Sequence, residues 1–255
     1  MQEEIRFLIC PELILSRLFT EKMEPNESLH IIGVERFSSY SGYASSYKFQ
    51  GDYVDQTLSD QWGRRLTEVV AIDAHVFHCY SDQFRHVALK RELDKAYCGF
   101  FDPLKRERFL LPAVATGNWG CGAFGGDKHL KALLQIMAAS VARRELIYFT
   151  FYDEKFSTEL TETHQFLREQ RNVSVGSLWK ALLKYGKEMK SRENHIQLFP
   201  YLRTYFMAPT PTREGDDSSD SCLDGEDARL EMRGVPCEIP EDMNQLSPEY
   251  AASTP

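Results

Sequence analysis

The 255 residues are 42% hydrophobic and 12% aromatic, enough to bury a sizeable core, and no run nears the ~18 apolar residues that a membrane-spanning helix needs. The formal charge of −8 sits at one end: residues 208–255 carry 12 Asp and Glu against 3 Lys and Arg, whereas residues 1–207 carry 26 against 27. A body so nearly neutral excludes steering of a polyanion by gross charge, so direct DNA binding is not expected. Met1-Gln2-Glu3-Glu4 is acidic where a secretory signal is basic, so a cytosolic or nuclear chain is expected. Cys10, Cys79, Cys98, Cys121, Cys222 and Cys237 include no C-x-x-C pair, which speaks against a disulfide framework or a structural zinc. His75, His78 and Cys79 lie close together but lack a second ligand pair at metal spacing, so no metal is expected.

In chain order, Glu3 to Phe19 carries Ile5, Leu8, Ile9, Leu13, Leu15, Leu18 and Phe19 at helical spacing, with Pro11 predicting a break or a new start. Leu29 to Val34 and Thr67 to Ala74 read as strands, and Gly42 to Phe49 as either a loop or a further strand. Asp82 to Tyr97 is charged and periodic, hence helical. Ala113 to Thr116 predicts a short strand that enters a glycine-rich turn, and Asp127 to Arg144 a helix with Leu130, Leu133, Leu134, Ile136 and Met137 on its apolar positions. Leu146 to Phe151 reads as a fully buried strand, Phe156 to Arg168 and Val175 to Met189 as helices, and Phe199 to Phe206 as an aromatic segment docked on the body. Alternating strands and helices imply an α/β sheet with helices on its faces. From about Pro209 the chain becomes rich in Pro, Ser, Asp, Glu and Gly, and this acidic tail, 208–255, is expected to be disordered.

The glycine-rich turn runs Gly117-Asn118-Trp119-Gly120-Cys121-Gly122-Ala123-Phe124-Gly125-Gly126-Asp127. Five glycines between a strand and a helix let backbone approach a ligand where no Cβ intervenes, and the exposed N–H groups at a helix start suit an anion. Residues 120–125 match G-x-G-x-x-G, and Asp153 could serve as the ribose-binding acid of a dinucleotide fold. Against that, the motif lies mid-chain, too little α/β pattern follows for a second half-fold, and Asn118-Trp119 is foreign to the fingerprint. A tight turn that only lets strand and helix pack is the bland alternative.

Gln2-Glu3-Glu4 opens the first helix, where acids complement the macrodipole by ~0.3–1 kcal/mol each. The chemical alternative is a glycosidase carboxylate, since cleaving a glycosidic bond needs a proton on the leaving oxygen and an activated water. Adjacent helical residues point ~100° apart, so one glutamate would transfer the proton and the other would orient a sugar hydroxyl. Tyr40, Tyr43 and Tyr47 lie in a Ser/Gly-rich segment that leaves a ring accessible enough to stack on a base, although packing explains any one of them taken alone.

Together these residues resemble the C-terminal part of the catalytic domain of the poly(ADP-ribose) glycohydrolase family. The resemblance covers residues 2–206 and runs through Gln2-Glu3-Glu4-Ile5-Arg6-Phe7-Leu8-Ile9, Pro11-Glu12-Leu13, Ser16-Arg17-Leu18-Phe19 and Gly42-Tyr43-Ala44. It continues in Val69 to Ala74, Arg91-Glu92-Leu93, Lys95 to Phe100, Ala113 to Asp127, and Tyr148-Phe149-Thr150-Phe151.

The resemblance implies a macrodomain-like three-layer α/β/α domain over 1–207. It is expected to be N-terminally truncated, because the family's triple-glycine loop and leading strands precede Gln-Glu-Glu. It implies exo- and endo-hydrolysis of ribose–ribose bonds in poly(ADP-ribose), with poly(ADP-ribose) and ADP-ribosylated proteins as substrates, no cofactor, no membrane partner, and a location in nucleus and cytoplasm. Glu4 would be the general acid and base, and Glu3 would hold ribose hydroxyls. Gln2 would meet the adenine side and Tyr43 would stack on adenine. Asn118, Trp119, Gly120, Cys121, Gly122 and Ala123 would wrap the pyrophosphate, with Phe124 and Phe151 near the ribose. An ADP-ribose-binding module without turnover and a dinucleotide-dependent oxidoreductase are the alternatives.

Overall fold

A computed structural model describes residues 2–107, 111–170, 173–189 and 196–208. The expected disordered tail lies, from residue 209 onward, outside the described residues. Backbone packing divides the described residues into two units, with the boundary between Ile72 and Asp73.

The first unit opens on helix α1 (Gln2–Ile9). Pro11 has no N–H to continue the helix, so the chain restarts there as a 3₁₀ stretch, Pro11–Leu18. The tighter winding has a consequence that helical periodicity misses. Ile5, Ile9 and Leu13 are buried, but Leu15, Leu18 and Phe19 are exposed, because three residues per turn carry these positions off the shared face; Leu8, still within α1, is exposed as well. Strand β1 (Leu29–Ile32) pairs antiparallel with β4 (Glu68–Ala71), Ile31 opposite Val69. The tyrosine-rich segment is a hairpin: β2 (Ser38–Ser41) pairs antiparallel with β3 (Lys48–Asp52), with an irregularity between Ser39 and Tyr40. Ile9, Cys10, Leu13 and Val34 form the buried cluster, covered by Phe7, Ile31, Tyr40 and Val69. Asp55 is buried as well; burial opposes its charge, yet it accepts the Arg36 and Thr57 amides at 2.9 Å, and these bonds prevail and hold its carboxyl at about 2.

The second unit is built on helix α2 (His86–Phe100) and a strand–helix–strand: β5 (Val114–Gly117), α3 (Lys128–Val141) and β6 (Leu146–Phe149). β5 and β6 run parallel, Val114 opposite Leu146 and Gly117 opposite Phe149. Helices α4 (Glu154–Glu169), α5 (Val175–Met189) and α6 (Leu198–Met207) complete it. Every residue of α3 from Leu130 to Ala139 is buried, so this helix is the axis of the unit. α2 packs along it with Leu89, Ala96 and Phe100 buried.

Most elements fall where the sequence places them; the β2–β3 hairpin is displaced from the segment expected over Gly42 to Phe49, and the sheet differs from expectation. Among the described residues the strands pair as three two-stranded ladders, of which only β5–β6 is parallel. β6 is also shorter than the fully buried strand expected over Leu146 to Phe151. Its residues alternate between buried and half-buried, and Phe151 and Tyr152 turn the chain away at φ +53° and +64°.

Candidate functional site

The glycine run leaves β5 at Gly117 and ends at the start of α3, where Asp127 caps the helix by accepting the Leu130 amide at 2.8 Å. The Gln83 carboxamide oxygen accepts the Asp127 amide at 2.7 Å, and the Tyr80 hydroxyl donates to Asp127 at 3.2 Å. At the strand end, the Gln135 side chain donates to the Gly117 carbonyl at 3.0 Å and accepts from the Thr116 hydroxyl at 2.6 Å. Both ends of the turn are thus pinned by side chains from neighbouring helices.

The five glycines are not equivalent. A Cβ on Gly117 would lie 2.6 Å from the Phe151 ring, one on Gly120 2.5 Å from the Ala74 Cβ, one on Gly125 2.6 Å from the Phe77 carbonyl, and one on Gly126 2.7 Å from the Gly120 carbonyl. Gly120 and Gly125 also require positive φ. These four glycines serve packing. A Cβ on Gly122 would meet nothing within 4 Å.

Backbone hydrogen bonding makes the same division. The amides of Trp119, Cys121, Gly125 and Gly126 donate to carbonyls inside the run. Among the described residues, those of Gly122, Ala123 and Phe124 have no acceptor, and all three residues are exposed. Three successive N–H groups left to solvent beside a helix start are donors that suit an anion.

Asn118 accepts the Tyr148 hydroxyl on Oδ1 at 3.0 Å. The Trp119 ring lies over the Lys131 ammonium, 3.9 Å from its centroid. Burial pushes the Cys121 thiol up to about 12, so it stays protonated at neutral pH. Phe124 and Phe151 are exposed, Phe151 packing over Gly117. Among the described residues no group of three His, Cys, Asp or Glu could hold a metal ion.

The remaining expected residues belong to the first unit. Gln2, Glu3 and Glu4 form the first turn of α1, and the Glu4 side chain is exposed. Tyr43 precedes a 3₁₀ turn, Ala44–Ser46, in which its amide donates to the Ser46 hydroxyl at 2.9 Å. Tyr40 and Tyr47 stack on each other with centroids 5.8 Å apart. Each unit therefore assembles its own set: Gln2, Glu3, Glu4 and Tyr43 in the first, and residues 118–124 with Phe151 in the second.

Sequence reasoning overlooked a buried charged floor beneath the glycine run. Lys131 and Glu92, 1% and 2% exposed, form an ion pair. Arg91 pairs with Glu92, and also with Asp73 at 2.6 Å; Lys95 meets Asp73 at 2.7 Å. The available signal was Lys131 and Gln135, two polar residues one turn apart among the apolar positions of α3.

His129, at the start of α3, lies 3.6 Å from Asp127 and 3.2 Å from Glu159. Burial alone would lower its pKa, but Asp127 and then Glu159 outweigh burial and raise it. A raised histidine contributes stability that is full below its unfolded value of about 6.5 and is lost as pH rises through the folded value. The stability lost in His129→Gln is therefore expected to be largest at acidic pH and to shrink above neutrality, read by denaturant unfolding of both proteins across pH. A loss independent of pH would contradict it.

The family model described as Poly (ADP-ribose) glycohydrolase (PARG), Macro domain fold, matches residues 1–158. The chain is 35% identical to Poly(ADP-ribose) glycohydrolase 1 of Arabidopsis thaliana over 79% of this chain and 48% of that protein. It is 35% identical to Probable poly(ADP-ribose) glycohydrolase 2 of the same plant over 80% of this chain and 45% of that protein. For Poly(ADP-ribose) glycohydrolase 1 of Caenorhabditis elegans the values are 35%, 80% and 27%. The chain thus spans less than half the length of these curated relatives. With a family match over more than half its length and such identities, the chain belongs to the poly(ADP-ribose) glycohydrolase family.

Proposed function

We propose that this chain carries the ADP-ribose-holding and bond-cleaving part of a poly(ADP-ribose) glycohydrolase, within a macrodomain-like α/β/α arrangement. The observation that carries the reading is the row of acceptor-less amides at Gly122, Ala123 and Phe124, beside the one glycine of the run with open space above it. A diphosphate offers such donors an anionic partner that needs no metal. Around it, residues 118–123 wrap the pyrophosphate, with the Asn118 Oδ1 fixed by Tyr148 and its NH₂ left as a donor. Phe124 and Phe151 offer exposed rings to the ribose. Tyr43 stacks on adenine and Gln2 meets the adenine side. Glu3 holds ribose hydroxyls, and Glu4 protonates the departing ribose oxygen and then activates water.

The oxidoreductase alternative loses its ribose acid. Asp153 caps α4 by accepting the Phe156 amide at 3.0 Å and is paired with Lys128. The test is to titrate the chain with ADP-ribose and with a nicotinamide dinucleotide, then to incubate it with poly(ADP-ribose). Tighter binding of ADP-ribose and release of free ADP-ribose are expected. Binding without release would favour the binding-module alternative, and preference for the nicotinamide dinucleotide would overturn the reading.

A further inference from the structure

A lysine in the first turn of a helix and buried on every side loses its hydration, and such a group persists only where something compensates it. Lys131 is compensated from three directions. Glu92 pairs with its ammonium, the Trp119 ring covers it at 3.9 Å, and Phe77 stands 6.0 Å away. Its stem fills the floor of the turn: a Cβ on Gly120 would lie 3.3 Å from Nζ, and one on Gly126 3.1 Å from Cε. Those two glycines close the turn on each other, the Gly126 amide donating to the Gly120 carbonyl at 2.9 Å. Glu92 is itself anchored, accepting the His75 amide at 3.0 Å. The charged groups facing Lys131 are Asp73 from the segment before α2, and Arg91, Glu92 and Lys95 from α2. When Lys131 is protonated, three cations face two carboxylates and leave a net positive charge below the open amides.

We propose that Lys131 is a positioning residue for the glycine run, its ammonium paired with Glu92 and seated under Trp119 so that the Gly122–Phe124 amides converge on a ligand phosphate. This assignment rests on the diphosphate reading above. A cation held over an indole and removed from water is a strong contact, and here it joins the floor of the turn to the residue that opens its exposed part. Burial, and after it Arg91, push the Lys131 amine down to about 7 against the pull of Asp73, so its charge changes in a range accessible to titration.

The chain has three tryptophans. Trp62→Phe with Trp179→Phe leaves Trp119 as the single indole, and neither replaced residue lies in the glycine run. In this parent, Trp119 emission is expected to titrate between about pH 6 and 9, following the lysine beneath it. Lys131→Met alone leaves the buried Glu92 with Arg91 and the His75 amide but without its second cation, which endangers the fold. The decisive variant is therefore Lys131→Met with Glu92→Gln, which removes both charges; Lys131→Arg is the conservative control.

In the double variant, with folding verified by circular dichroism, the titration of Trp119 emission is expected to vanish. ADP-ribose binding measured by calorimetry is expected to weaken by about tenfold or more, while Lys131→Arg recovers most of it. A folded double variant that binds ADP-ribose as tightly as the parent, or that keeps the Trp119 titration, overturns the Lys131 assignment alone. A parent that does not bind ADP-ribose overturns the diphosphate reading and this assignment with it.

Discussion

Replacing Glu4 with glutamine is expected to cut release of ADP-ribose from poly(ADP-ribose) by about 10²–10⁴-fold, the usual contribution of a positioned acid–base group. The substitution keeps the size and hydrogen-bonding reach of the side chain and removes only its ability to carry a proton. Because the Glu4 side chain is exposed, the melting temperature should not move, so loss of activity cannot be assigned to unfolding. Glu3→Gln removes a hydroxyl-orienting group rather than the proton carrier, so its loss should be smaller. Equal activity of Glu4→Gln and the unaltered chain, measured as ADP-ribose released per unit time, would remove Glu4 from the chemistry.

The second large effect separates two glycines only two positions apart. Gly122→Val is expected to leave stability unchanged, because its side chain enters open space. It is also expected to weaken ADP-ribose binding by about tenfold or more, because that space is where the diphosphate must approach the amides. Gly120→Ala should do the reverse: its Cβ would lie 2.5 Å from that of Ala74, and its φ of +74° is strained for any side chain. A stability loss of about 1–3 kcal/mol follows from such strain. Denaturant unfolding and calorimetry on the two variants read both quantities. If Gly122→Val binds ADP-ribose normally, the open amides are not the phosphate site.

Much of this was legible in the residues themselves. Pro11 marks the break after α1, and the glycine run sits between a strand and a helix as its composition requires. Val175–Met189 is helical over the whole span expected. What could not be read were properties that depend on neighbours distant in sequence. Gly122 and Gly120 are the same letter, and only Ala74, 46 residues before Gly120, makes one structural. The burial of Lys131 and Glu92 comes from α2 packing along α3, which no local pattern announces. Leu15 and Leu18 read as core because periodicity assumes 3.6 residues per turn, and the 3₁₀ winding after Pro11 defeats that assumption. The tyrosine segment became a hairpin through Gly42 at φ +75°, a turn whose register is set by cross-strand pairing that composition does not encode.

The most direct measurement is an amide chemical-shift titration of the isotopically labelled chain with ADP-ribose. The largest shifts are expected at Gly122, Ala123 and Phe124, the three exposed donors with no acceptor among the described residues. The Trp119, Cys121, Gly125 and Gly126 amides, already bonded inside the run, should move less. Saturable binding of ADP-ribose with those three amides unmoved would contradict this expectation.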